Sequence, residues 1–287
     1  MKCPFFCHLR VKNLSVRANS RNFVTVKQVR PKKKLGQHFL TDLNIAKRIA
    51  DTVDAPYPEL PVLEVGPGMG VMTQYLVEKP RPFTVVEIDR ESVAYLQENF
   101  PRLRENIIGG DFLRMDLQEV FDGQQFVLTG NYPYDISSQI FFKMLDNKDL
   151  IPCCTGMIQR EVALRIASQP GNKQYGVLSV LIQAWYRVEY LFTVEPGVFN
   201  PPPKVQSAVI RMTRNEVTDL GCDEALFKRI VKTVFNQRRK MLRVSLRQIL
   251  PQDSIFFTLH ANLLTRRPEQ LSIPEFVDLT NKVSAQL

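Results

Sequence analysis

The chain has 287 residues, 44% of them hydrophobic, and no apolar stretch approaches the roughly eighteen residues of a membrane-crossing helix. Its net charge of +9 is uneven: residues 1–41 carry ten Lys or Arg and no acid, which leaves 28 basic against 29 acidic residues elsewhere. Cys3, Cys7, Cys153, Cys154 and Cys222 form no CxxC pair and no regular spacing, so neither a disulfide framework nor a metal site is expected and the reducing cytoplasm is the simplest compartment.

Residues 1–27 show no periodicity and are expected to form a basic, disordered extension; their composition also suits a mitochondrial transit peptide. Lys32-Lys33-Lys34 precede Leu-Gly-Gln-His-Phe-Leu, and Thr41 or Asp42 then caps a helix with Ile45, Ile49 and Val53 on one face. A basic run, Gln37-His38 and Phe39 placed before a helix suit a lid over a ligand. Val62–Val65 predicts a buried strand, followed by Gly66-Pro67-Gly68-Met69-Gly70 and a helix through Met72, Tyr75 and Leu76. Such a turn lets the backbone approach a ligand closely. The next strand, Phe83–Val86, leads to Glu87, which lies 21 residues after Gly66. An acid there accepts hydrogen bonds from ribose hydroxyls. A third strand at Asn106–Ile108 leads to Asp111, placed to accept from an adenine amino group, with Phe112 or Ile88 packing on the ring. The pattern points to an adenosine-containing cofactor without separating NAD from S-adenosylmethionine.

The fourth strand, Phe126–Leu128, runs into Asn131-Tyr132-Pro133-Tyr134, and a helix begins at Ser137 with Ile140, Phe141, Met144 and Leu145 on one face. Pro133 fixes its own φ and pushes Tyr132 out of the helical region. An amide, a carbonyl and an aromatic ring are therefore held stiffly at a strand's carboxyl end, where ligands bind in open α/β sheets. The exocyclic amine of adenine is a poor nucleophile because its lone pair is delocalised. The Asn131 oxygen and the Tyr132 carbonyl can both accept its hydrogens, which favours a localised lone pair. Tyr134 can stack on the base, a contact worth about 1–3 kcal/mol. Alone, a four-residue match of this kind is equally an ordinary proline turn.

Further strands are expected at Cys154–Ile158, Tyr186–Val194 and Ser207–Met212, with helices at Arg160–Ser168 and Val177–Trp185 and an extended loop at Phe199–Val205. From Asp223 the pattern is helical, at Leu226–Phe235, Arg238–Leu250 and Ile273–Leu287, which sets a domain boundary near 214–220. Ala225–Gln252 holds eight basic residues and no acid, including Arg238, Arg239, Lys240 and Arg243. Two basic segments on a near-neutral body point to a polyanion.

From residue 31 onward the chain resembles the ribosomal RNA adenine N6,N6-dimethyltransferases that act on two adjacent adenosines near the 3′ end of small-subunit rRNA, the KsgA/RsmA family. The segments that carry the resemblance, in order, are Leu35–Leu40, Glu64–Gly68, Val86–Asp89, Gly110-Asp111, Gly130–Ser137, Gln159–Ala163, Tyr175-Gly176 and Phe199–Val209. The family has Leu, Ile or Phe where this chain has Tyr132, and commonly Asn where it has Asp135. The resemblance implies an α/β fold: a Rossmann-like methyltransferase domain over 28–214 with a small all-helical domain over 215–287. It implies S-adenosylmethionine against His38, Leu40, Gly66, Gly68, Glu87, Ile88, Asp111, Phe112 and Asn131. It further implies catalysis by Asn131, Tyr132, Pro133 and Tyr134, no metal, and rRNA phosphates held by Lys32, Lys33, Lys34, Arg238, Arg239, Lys240 and Arg243. The expected partner is small-subunit rRNA within a pre-30S-like particle, bound by a monomer. Four alternatives stay open: a large-subunit enzyme of the macrolide-resistance type, a mitochondrial paralogue, a non-enzymatic assembly checkpoint, and an NAD-dependent dehydrogenase.

Overall fold

Short runs rich in Val, Leu and Ile become the middle of a sheet, because strands covered on both faces are apolar throughout. The computed structural model describes residues 31, 32 and 35–287, so the expectation for residues 1–27 lies outside it. In chain order the described elements are β1 (Phe39–Leu40), α1 (Leu43–Asp51), β2 (Val62–Val65), α2 (Thr73–Leu76), β3 (Phe83–Glu87), α3 (Arg90–Asn99), β4 (Ile107–Gly109), β5 (Val127–Asn131), α4 (Ser137–Asp146) and β6 (Cys153–Gln159). Then come α5 (Arg160–Ile166), α6 (Val177–Gln183), β7 (Tyr186–Val194), β8 (Phe199–Asn200), β9 (Ser207–Arg214), α7 (Glu224–Asn236), α8 (Leu242–Ser245), α9 (Phe256–Leu259), α10 (Ala261–Leu264) and α11 (Ile273–Ser284).

Seven strands form one sheet in the order β4-β3-β2-β5-β6-β9-β7. The first five are parallel, and β9 runs antiparallel to both β6 and β7. The chain leaves β2 in one direction and returns at β5 on its other side. That reversal opens a crevice beyond the carboxyl ends of β2 and β5. Alternate strand residues enter opposite cores. Val62, Val127, Cys153 and Val209 pack with Ala46, Ile49, Leu76 and Leu96 of the first helices. Leu63, Leu128, Cys154 and Ile210 pack with the later helices, whose core continues through Phe227, Val231 and Phe276. The α/β half and the helical end thus share one apolar cluster.

Two expectations are corrected. Arg238–Leu250 is not one helix: the backbone is extended at Met241, and Leu242 N–H is drawn to the Arg266 carbonyl at 2.9 Å, leaving a single turn, α8. The Phe199–Val205 segment is not wholly loop, because β8 pairs antiparallel with β1, Phe199 opposite Leu40 and Asn200 opposite Phe39. A two-residue strand has too few residues to show a period of two. The helices α9 and α10, four residues each, are too short to show a helical period.

Candidate active site

Four strand ends and the N-terminal strap enclose a cleft of about 1000 Å³, open mouth included. The Gly66-Pro67-Gly68 turn forms its floor. Gly66 has φ +68° and Gly68 φ +57°, and a Cβ on Gly68 would lie 2.9 Å from the Phe39 ring. Only glycine fits between that turn and the strap. Phe39 in turn is held by the β1–β8 pairing.

At the tip of β3, Glu87 is almost fully buried, and its two oxygens accept from Gly68 N–H and Asp89 N–H, each at 2.9 Å. Burial pushes its carboxyl pKa up, against the pull of those backbone donors. An ionised carboxylate has about four acceptor positions, so two remain for a ligand's hydroxyls. Ile88 is more than half exposed beside it. On the neighbouring strand end, where Gly110 N–H donates to the Glu87 carbonyl, Asp111 caps a short 3₁₀ turn, accepting from Leu113 N–H at 3.0 Å, while Phe112 is buried behind it. Asp111 therefore has a capping role whatever else it binds.

Asn131 is the last residue of β5, three positions later than the predicted strand end at Leu128. Its Nδ2 donates to the His38 carbonyl at 3.3 Å, and no described group donates to its Oδ1. Tyr132 turns its ring into the core: its N–H bonds to the Met157 carbonyl at 3.0 Å and its hydroxyl to the Thr155 carbonyl at 3.0 Å. The Tyr132 carbonyl itself accepts no hydrogen bond from the described residues. Pro133 lies over the Gly66 turn. Tyr134 stays at the cleft, half-buried, with His38 stacked at 5.5 Å between ring centroids and 28° between planes. Every residue expected to meet the cofactor or the base, from His38 and Leu40 to Asn131 and Tyr134, lines this one cleft.

One cleft residue has no role assigned from the sequence. Glu64, in the middle of β2, is 2% exposed, and burial raises its pKa to about 8, opposed by the Thr73 hydroxyl at 2.7 Å and reinforced by Glu87. An acid inside an apolar strand was the available signal. Leu35–Gln37, part of the segment expected to form a lid, complete the strap over the cleft.

The basic candidates divide. Arg239, Lys240 and Arg243 are exposed, and none pairs with an acid among the described residues. Arg238 is committed internally. Its guanidinium donates to the Lys173 carbonyl and, at 3.1 Å, to the Asn172 carbonyl, with Glu269 3.5 Å away. Lys32 pairs with Asp89 at 2.5 Å and Glu91 at 3.0 Å, which raises its ammonium pKa. These two ion pairs tie the start of the strap to the end of β3 and the first turn of α3. Lys33 and Lys34 lie outside the described residues.

Fold and cleft together define a Rossmann-like methyltransferase. The profile of the ribosomal RNA adenine dimethylase family matches residues 28–282, and the chain belongs to that family. It is 68% identical over 260 residues to the ribosomal RNA small subunit methyltransferase A of Phocaeicola vulgatus, covering 90% of this chain and 91% of that protein. The protein of the same name from Parabacteroides distasonis is 62% identical over 252 residues, covering 88% and 93%. Among solved structures, the 23S rRNA methyltransferase ErmE is 28% identical with a TM-score of 0.59, covering 84% of this chain and 99% of that one. A dimethyladenosine transferase from Plasmodium falciparum shares the fold, with a TM-score of 0.71 at 22% identity, covering 87% and 98%.

Proposed function

We propose that this enzyme transfers methyl groups from S-adenosylmethionine to the N6 amines of two adjacent adenosines in the 3′-terminal hairpin loop of small-subunit (16S) rRNA, during small-subunit assembly. One observation carries the reading: a turn able to orient an adenine amine and a cradle able to hold a nucleoside line the same cleft. Membership of the dimethylase family and 62–68% identity to small-subunit enzymes support it. The likeness to ErmE is weaker, so the large-subunit reading is not favoured.

The buried Glu87 carboxylate, with acceptor positions to spare, suits a ribose; Asp111 and Phe112 suit an adenine; the glycine turn leaves room beside them. Bound there, the cofactor supplies an electrophilic methyl on a sulfonium. The chain's own work is placement. Asn131 Oδ1 and the Tyr132 carbonyl, both without described donors, accept the two amine hydrogens of the target adenine. Tyr134 offers a ring face to a base unstacked from its loop. Holding amine and donor in line contributes most of the rate, and no nucleophilic side chain is required. The strap carrying His38 and Leu40 screens water from the cleft.

Residues 28–214 would form the catalytic domain and 215–287 an rRNA-holding helical domain, with Arg239, Lys240 and Arg243 on phosphates. The working unit would be a cytoplasmic monomer on a pre-30S-like particle; no described helix is long and apolar enough to cross a membrane. Incubating the protein with labelled methyl donor and under-methylated small subunits, then mapping the label, tests the reading. Label on two adjacent 3′-terminal adenines is expected, and label confined to large-subunit RNA would reject it.

A further inference from the structure

The two tyrosines of the Asn131 turn take opposite paths. Tyr132 is 1% exposed and belongs to the core. Tyr134 remains at the cleft, and its hydroxyl lies 2.5 Å from the hydroxyl of Ser207. Ser207 is fully buried at the first position of β9, level with Gln159 on β6 and Val194 on β7. An anchor set between two neighbouring strands moves only if the sheet moves.

The ring is restrained on a second side. His38 stacks on one face, and His38 Nδ1 is itself 2.8 Å from the Pro201 carbonyl, next to the β1–β8 pairing. A tyrosine ring swings about two side-chain torsions. The hydroxyl lies on the axis of the second torsion, so a bond at the ring's far end fixes the first, while the His38 ring stacked on one face restrains the second and leaves the other face for a planar ligand.

We propose that Ser207 is a positioning residue for methyl transfer: its hydroxyl fixes the Tyr134 ring as a platform with one open face, against which the target adenine stacks. The inference rests on the adenine-methylating reading above. It assigns a role to a residue 73 positions away from the turn that it serves. Stacking alone tolerates a loose ring, whereas bringing an amine into line with a methyl donor does not, since small misplacements cost large factors in rate.

The test compares Ser207→Ala, Tyr134→Phe and the double variant, each assayed for methyl transfer to under-methylated small subunits. Each single change removes the same bond from one side and is expected to lower kcat about five- to tenfold. The KM for S-adenosylmethionine should stay at the parental value, each single variant should lose a few degrees of melting temperature with its buried hydrogen bond, and the double variant should be no slower than the slower single one. A parental rate in Ser207→Ala overturns the proposal. So does a double variant whose losses multiply, or a rate loss matched by a fall in cofactor affinity, which a merely structural role would give. Should Ser207→Ala fail to fold, Tyr134→Phe carries the same comparison, and a parental rate there overturns the proposal. If the parental enzyme methylates no small-subunit RNA, the functional reading has failed, and the platform is read without turnover. NMR of tyrosine-labelled protein should show the Tyr134 ring signals shifted or broadened in Ser207→Ala as the ring leaves its place against His38; unchanged signals overturn it.

Discussion

The cleft and the basic helical end were both marked by sequence, yet they differ in what the marking was worth. In the cleft, residues from five separate segments converge as expected. At the helical end, Arg238 holds the turn at Asn172-Lys173 while Arg239 and Lys240 beside it face solvent. Parallel strands in register fix where their carboxyl ends fall, so spacing along the chain translates into position in space. A charge on a helix or turn carries no such constraint, because a guanidinium reaches whichever acceptor is near.

The sharpest way to break the comparison is at Asn131. Asn131→Ala should abolish dimethylation, a loss of about a hundredfold or more, because the amine loses its preorganised acceptor. The circular dichroism spectrum should be unchanged, since the side chain makes only one long bond, to the His38 carbonyl. Mass spectrometry of rRNA from a deletion strain carrying the variant reads the outcome, and undiminished dimethyladenosine would discredit the turn as the site. Glu87→Ala should come next. Losing hydrogen bonds to a charged group raises the cofactor Kd about tenfold or more, measured by calorimetry. The same change strips Gly68 and Asp89 N–H of their acceptor, so a lower melting temperature should accompany it. Unchanged cofactor binding would reject the ribose role.

The parallel strands, the Gly66 turn, Glu87 and the Asn131 turn were legible because each rests on local chemistry: apolar runs, glycine at positive φ, proline after a strand. What escaped notice depends on distant partners. The β1–β8 pairing joins residues about 160 positions apart. The Tyr134–Ser207 bond and the burial of Tyr132 are likewise set by strands that the turn itself does not contain. Tyr132 could be recognised as a departure from the family, but its ring's direction could not, because Gly130 and the β6 strand make the space beneath it.

The helical end offers a milder test. Replacing Arg239, Lys240 and Arg243 together by Ala should weaken rRNA binding and lower the salt slope by about two, given roughly 0.7–0.9 per phosphate contact. Arg238→Ala should leave that slope alone and lower the melting temperature by a few degrees, about what a lost charged hydrogen bond costs. Filter binding across a salt series separates them, and an equal slope change from Arg238→Ala would return it to the RNA face. In the cleft, Glu64 gives a pH signature. Its pKa is 4.5 ordinarily and about 8 when folded, so the folded state holds a proton that the unfolded state releases between those values. Stability contributed by that proton is present below about pH 4.5 and is lost as pH rises towards 8. Glu64→Gln removes this dependence, so its melting temperature should gain on the parent's from pH 5 to 8. A constant difference across that range would mean that Glu64 is ionised in the fold.

The smallest effect belongs to the residue next to the one with the largest. Tyr132→Phe should leave methyl transfer within about twofold of parental, because the family reading assigns the work to the backbone carbonyl and the ring lies in the core. Its cost should appear in stability instead. The hydroxyl bonds to the Thr155 carbonyl and sits 3.2 Å from Cys154 Sγ, inside the core. Removing one partner of a buried hydrogen bond costs about 1–3 kcal/mol, readable as a lower urea midpoint at unchanged slope. A Phe variant as stable as the parent but catalytically impaired would reverse the assignment. It would mean that the hydroxyl reaches the reaction through the strand, and that side chain as well as backbone at this position distinguishes the chain from its family.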